Sequence, residues 1–150
     1  MLNEGTKSFD YLCTAVGTGG TVAGLSKFAE EHQQVLGFKA VNDPTLENEV
    51  FRLSGRKNCK LFEAYDGSYG KITDENIRFI NNFSEYYGIQ LDPVYTGKMM
   101  RLIFRLIKED FFPENARILA FHTGGLQGIS GANRMLEEQN RPLIKLIKVD

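Results

Sequence analysis

The chain has 150 residues, 42% of them hydrophobic and 25% charged, with a formal net charge of -1. That composition fits one ordinary folded domain, and its balanced charge excludes the broad basic face that nucleic-acid binding needs. No apolar run is long enough to span a bilayer, residues 1–7 lack the apolar segment of a signal peptide, and Cys13 and Cys59 make neither a disulfide framework nor a metal site; a reduced, cytoplasmic protein is expected.

The first element is a buried strand over 8–16, rich in aromatic and small apolar residues, with Cys13 as a small core residue. It runs into Gly17-Thr18-Gly19-Gly20-Thr21, and the pattern then turns helical over 21–32, with Val22, Leu25, Phe28 and Ala29 on one face. Residues 34–41 read as a second buried strand, so the segment forms a βαβ unit with parallel strands and a right-handed crossover. A turn at Asn42-Asp43-Pro44-Thr45 opens a helix over about 45–54, with Leu46, Val50 and Leu53 in register. A short strand over 60–65 leads to the loop Asp66-Gly67-Ser68-Tyr69-Gly70. Thr73 is a helix N-cap, and the helix it opens runs through Ile77, Ile80, Phe83 and Tyr87 to Gly88. A second loop, Leu91 to Lys98, opens a helix over about 97–110 with a buried stripe of Met99, Leu102, Ile103, Leu106 and Ile107. Residues 116–122 read as a buried strand running into Thr123-Gly124-Gly125, and a helix over roughly 128–138 follows. The tail 142–150 alternates apolar and cationic residues, as an edge strand or a strand that pairs with a neighbour. The whole predicts a single α/β domain over 1–150: an open, mostly parallel sheet with helices on both faces.

Three loops fall at strand ends or helix starts, where such sheets bind ligands. The turn at 17–21 points backbone N–H groups at one spot, backed by the positive end of a helix dipole, and so suits a phosphate or another small anion. A plain tight turn that uses glycine for backbone freedom is the alternative. A dinucleotide fingerprint would need a third glycine where Val22 stands, and a nucleoside-triphosphate loop would need a lysine where Leu25-Ser26 follow Gly24. From the residues alone, Tyr69 and Tyr95 are half-buried aromatics with hydroxyls on backbone groups. His122 reads as a structural hydrogen-bonding group, with a catalytic role left open.

Asp10–Leu25, Leu91–Lys98 and His122–Gly128 together resemble pyridoxal-phosphate enzymes of the tryptophan-synthase-β type, fold-type II. Within them the chain is similar to the 1-aminocyclopropane-1-carboxylate deaminase and D-cysteine desulfhydrase family. Gly-Thr-Gly-Gly-Thr is shared widely in that fold; Asp92-Pro93-Val94-Tyr95-Thr96-Gly97-Lys98 is much more specific, and His122-Thr123-Gly124-Gly125 is the third match. The resemblance implies the larger, cofactor-binding half of the fold, with pyridoxal 5'-phosphate held at its phosphate by Gly17, Thr18, Gly19, Gly20 and Thr21. It implies Tyr69 and Tyr95 as the catalytic tyrosines, acting as proton donors or lowering each other's pKa. Thr96, Thr123 and Gly124 would lie by the cofactor, with Thr123 on the pyridine nitrogen. The deaminases carry Glu where this chain has Thr96; a neutral hydroxyl makes a weaker electron sink, which points to the desulfhydrase-like branch, eliminating hydrogen sulfide and ammonia from a D-amino acid. Lys98 begins a helix in the family pattern and does not bear the cofactor.

The resemblance is to the C-terminal part of those enzymes, and the lysine-bearing N-terminal half is expected to be absent. The chain alone is therefore expected to be inactive, and a non-catalytic domain for phosphate binding or protein interaction is the alternative. The expected partners are a small amino-acid substrate and a second copy in a dimer, since apolar faces are rarely left to water; no nucleic acid, membrane or metal is expected.

Overall fold

The computed structural model describes residues 1–148. Its sheet has four parallel strands, β1 (Tyr11–Val16), β2 (Gln34–Lys39), β3 (Cys59–Glu63) and β4 (Ile118–Ala120), in the order β3-β2-β1-β4. The helices are α1 (Gly20–Phe28), α2 (Leu46–Ser54), α3 (Asp74–Tyr87), α4 (Thr96–Lys108) and α5 (Ile129–Glu138).

The two-residue period of the strands divides the core. Leu12, Val16 and Val35 pack on Val22 and Leu25 of α1 and on Leu46 and Val50 of α2. Cys13, Leu36 and Phe38, on the other face, meet Met99, Ile103 and Leu106 of α4. Burial of each such side chain stabilises the fold by about 1.5–3 kcal/mol. A third cluster joins Ile77, Ile80 and Phe83 of α3 to Leu91, Ile129, Leu136 and Ile144.

From β1 the chain moves outward to β2 and β3, then returns by α4 on the opposite face to place β4 on the free side of β1. The strand order reverses between β1 and β4, so the loops leaving their C-terminal ends diverge and open a crevice. Those loops are 17–19 and 121–125.

Several expected boundaries and faces move. Helix α1 stops at Phe28 because Ala29 turns extended and takes the buried position itself, leaving Phe28 68% exposed. Leu53 and Ile107 are exposed, because α2 buries Leu46, Val50 and Ser54, and α4 centres its buried stripe on Met99, Ile103 and Leu106. Strand β4 has three residues and is half-buried, because it has only β1 as a neighbour. The tail is not an edge strand over 142–148. Side-chain amides take the place of a neighbouring strand there. Asn133 donates to the Ile144 carbonyl at 2.9 Å and accepts its N–H at 2.8 Å; Asn81 donates to the Leu143 carbonyl at 3.0 Å and accepts the Lys145 N–H at 2.8 Å. The rest of that expected tail, Val149 and Asp150, lies outside the described residues.

Candidate functional site

The turn after β1 is set by Gly19, whose φ of 94° lies in the left-handed region that favours glycine. Gly19 caps α1 without a side-chain bond. Among the described residues, the N–H groups of Thr18, Gly19, Gly20 and Thr21 donate to no protein acceptor. A Cβ on Gly20 would meet nothing within 4 Å, so the mouth of this cradle is open. Unpaired N–H groups at the positive end of a helix favour an anion.

The second loop is organised by Asp92, which is 1% exposed. One of its carboxylate oxygens accepts the N–H groups of Val94 and Tyr95, both at 2.8 Å. The other accepts the Thr96 N–H and the Thr96 hydroxyl, both at 2.7 Å. This ties down the start of α4 and holds Tyr95 at its cap. Tyr95 reaches across to the glycine turn: a Cβ on Gly17 would lie 3.5 Å from its Cε1. Its hydroxyl lies 2.9 Å from that of Tyr69, with the rings edge to face. On its other side Asp92 packs against the third loop, since a Cβ on Gly125 would fall 2.9 Å from Asp92 Cγ. The Asp92–Thr96 loop therefore touches both divergent loops of the crevice.

The hydrogen bond to Tyr69, followed by burial and by the nearby Tyr69 and Asp92, pushes the Tyr95 hydroxyl up to about 12. The bond favours the protonated form of Tyr95, so for this residue the expected lowering is replaced by a rise. Tyr69→Phe is expected to return the Tyr95 titration toward the ordinary value near 10, read by ultraviolet absorbance against pH. The raised value means that this contribution to stability is intact below about 10 and is lost as pH rises through about 12. Alkaline unfolding of the variant should begin at lower pH.

No family model matches the chain. It is 38% identical over 136 residues to a Pyrococcus furiosus protein provisionally named a 1-aminocyclopropane-1-carboxylate deaminase, covering 81% of this chain and 41% of the relative. A bifunctional D-cysteine desulfhydrase/1-aminocyclopropane-1-carboxylate deaminase of Arabidopsis thaliana is 31% identical over 81% of this chain and 33% of its own length. A crystal structure of an ACC deaminase homologue superposes with a TM-score of 0.72 at 33% identity, over 86% of this chain and 44% of that one. The chain is a relative of the 1-aminocyclopropane-1-carboxylate deaminase and D-cysteine desulfhydrase proteins. It spans less than half the length of the curated relatives it matches.

Against that family, the residues singled out in the sequence sort by position. Gly17, Thr18, Gly19, Gly20 and Thr21 form the cradle, with the Thr18 and Thr21 side chains exposed. Tyr69 and Tyr95 meet at its side. Thr123 is exposed, and its hydroxyl has no protein partner among the described residues. Gly124 donates its N–H to His122 Nδ1 at 3.1 Å, so His122 carries its proton on Nε2 and donates to the Gln90 carbonyl at 2.7 Å. Both ring nitrogens of His122 thus shape the loop. Thr96 is fully buried, and its hydroxyl donates to Asp92 and accepts the Asp92 N–H at 2.9 Å, so it shapes the helix start. A groove of about 610 Å³ touches the cradle only at Gly20 and Thr21 and extends away past Leu2, Gly24 and Phe28; neither tyrosine lines it. The convergence of loops at the strand switch marks the site better than that groove does.

The structural roles of three residues escaped the sequence reading, although Asp92 and Lys98 stand in the motif it singled out. Asp92 has a cap-like signal in hindsight, an acid shortly before a helix. Lys98 and Arg101 gave none, because lysine and arginine are read as solvated by default. Lys98 is 1% exposed, donates to the Tyr65 carbonyl at 3.3 Å, and is shifted down by its burial. Burial pushes both thiols, Cys13 and Cys59, up to about 12, so neither is a nucleophile near neutrality. Among the described residues no helix is long and apolar enough to cross a membrane, and no group of three or more His, Cys, Asp or Glu side chains could hold a metal ion.

Proposed function

We propose that the chain supplies the phosphate-binding side of a pyridoxal-phosphate-dependent lyase or deaminase, D-cysteine desulfhydrase-like, acting on a small amino acid. The observation that carries this reading is the meeting of Tyr95 with Gly17 at the rim of an open N–H cradle. The cradle fits the cofactor's phosphate: its donors are unpaired, its mouth is open at Gly20, and two threonine hydroxyls flank it. When bound, pyridoxal phosphate supplies the electron sink. The Thr18–Thr21 N–H groups hold its phosphate, and the Thr123 hydroxyl serves the pyridine nitrogen. Tyr95 keeps its proton up to about 12 and, paired with the more exposed Tyr69, offers a hydroxyl donor at the rim. Thr96 brings no carboxylate to the ring, and the one in its loop, on Asp92, is committed to three N–H groups and a hydroxyl. That favours thiol elimination over the opening of a cyclopropane ring. Self-association as a dimer belongs to the same proposal.

A second reading, a phosphate-binding domain without catalysis of its own, is favoured by Lys98. The lysine nearest the tyrosine loop on α4 is buried and committed to a backbone carbonyl.

The test is binding. Pyridoxal phosphate should bind, and pyridoxal, which lacks the phosphate, should not. Gly20→Glu should weaken pyridoxal-phosphate binding roughly a hundredfold, ~2.7 kcal/mol. Its side chain enters open space at a helix start, so the melting temperature should hold or rise slightly. Equal binding of the two ligands, or unaltered binding by Gly20→Glu, would remove the cradle from the proposal. With cofactor present, sulfide released from D-cysteine supports the desulfhydrase reading. Ammonia from 1-aminocyclopropane-1-carboxylate alone overturns it, and release of neither leaves the second reading standing.

A further inference from the structure

Tyr95, Lys98 and Arg101 follow one another at three-residue spacing, which puts them along one side of α4. Each grips the same short segment. The Tyr95 hydroxyl lies 2.9 Å from that of Tyr69. Lys98 Nζ donates to the Tyr65 carbonyl at 3.3 Å. Arg101 Nη2 reaches both carboxylate oxygens of Asp66, at 2.6 and 2.7 Å, while Nη1 lies 3.4 Å from Glu75 on α3.

The segment has little shape of its own. Asp66, Gly67 and Gly70 are in the left-handed region, with φ of 52°, 94° and 75°. Its internal backbone bonds are long: Ser68 N–H to the Tyr65 carbonyl at 3.2 Å, and Lys71 N–H to the Ser68 carbonyl at 3.3 Å. A non-glycine residue held at positive φ persists only where its surroundings over-determine it. Here the surroundings are two cations that the fold has taken out of water, Lys98 at 1% exposure and Arg101 with its side chain 11% exposed. Burying a charge is unfavourable unless a specific partner answers it; the near partners are two adjacent loop residues, with Glu75 a longer second contact of Arg101. Two points of attachment fix the direction in which the loop leaves α4. Tyr69 itself is 58% exposed, and its hydroxyl bonds only to Tyr95, so nothing nearer holds it in place.

We propose that Lys98 and Arg101 are positioning residues: they clamp Tyr65 and Asp66 to α4 so that the Tyr69 hydroxyl docks on Tyr95. The chemical value of that docking rests on the function proposed above; the clamp does not.

The experiment uses the whole chain without cofactor or substrate. Arg101→Gln, Asp66→Asn and the double variant are compared with the parent by amide hydrogen exchange over residues 66–71 and by NMR titration of the tyrosine rings. Each single variant should speed exchange across Gly67–Gly70 on the order of tenfold. Each should also move the Tyr95 titration down toward that of Tyr69→Phe. The double variant should lose no more than either single one, since both remove the same contact. Lys98→Met, which keeps the buried stem and deletes the donor, should give a smaller change of the same kind. If Arg101→Gln does not fold, Asp66→Asn decides, because it alters the loop side and leaves the core of α4 in place. An unchanged Tyr95 titration with unchanged loop exchange in folded Asp66→Asn overturns the clamp. Loss of pyridoxal-phosphate binding would bear on the functional reading alone.

Discussion

Gly97→Ala is expected to lower the melting temperature by about 2–12 °C and to pull Tyr95 away from the glycine turn. A Cβ at this position would lie 2.5 Å from the Asp92 carbonyl oxygen and 2.7 Å from Ile80 Cδ1. The first of these is backbone, and it already accepts the Gly97 N–H at 2.8 Å, so it cannot retreat without opening the turn. The second belongs to a fully buried side chain of the α3–α5 cluster. Overpacking of this kind costs about 1–3 kcal/mol, and a chain of this size loses roughly 2–4 °C per kcal/mol. Thermal unfolding followed by circular dichroism measures it. A midpoint within about a degree of the parent would mean that the start of α4 can shift freely.

Asp92→Ala is expected to be as damaging by another route. It leaves three backbone N–H groups and the Thr96 hydroxyl without their acceptor in a buried corner. Losing a helix cap costs about 0.5–2 kcal/mol, and unpaired buried donors add about 1–3 kcal/mol, so about 1.5–5 kcal/mol is expected in denaturant unfolding. The Tyr95 titration should fall with it, since the residue is no longer held at the cap. Asp43 provides the contrast: its carboxylate accepts from Thr45 in the open, and Asp43→Ala should leave the unfolding midpoint nearly unchanged. Asp92 and Gly97 share one turn, so the double variant should lose less than the sum of the singles. Equal unfolding midpoints for Asp92→Ala and Asp43→Ala would refute the role given to Asp92.

The βαβ unit around the glycine turn was legible because buried parallel strands read as near-continuous apolar runs; 11–16 is broken only by Thr14, and 35–38 is apolar throughout. The same rule misjudged Ile118–Ala120: an apolar run shows that a strand is covered, not how many neighbours it has, and this one has a single neighbour. Periodicity placed α4 but could not weigh Ile107 against Leu106, which lie one step apart around the helix. In the site, the glycines and tyrosines stood out because their residue types announce backbone freedom or a polar tip on an apolar body. Thr96 could not be placed that way. Its hydroxyl is spent on Asp92 through a turn whose closure no local pattern specifies. Lys98 and Arg101 were hidden for the opposite reason: their burial depends on a loop some thirty residues earlier in the sequence.

The pairing of β1 with β4 sets the order in which the molecule can assemble. Asp10 and Arg117, bonded at the start of that pairing, are 107 positions apart in sequence. Strands β1, β2 and β3 are joined through α1 and α2 by much shorter stretches of chain. Closing a long loop is entropically slower than closing short ones, so β4 is expected to dock last. The cradle at 17–21 would then exist in a folding intermediate before Thr123 arrives opposite it. An anion present during refolding would meet its backbone donors first and the rest of the crevice only when the sheet is complete.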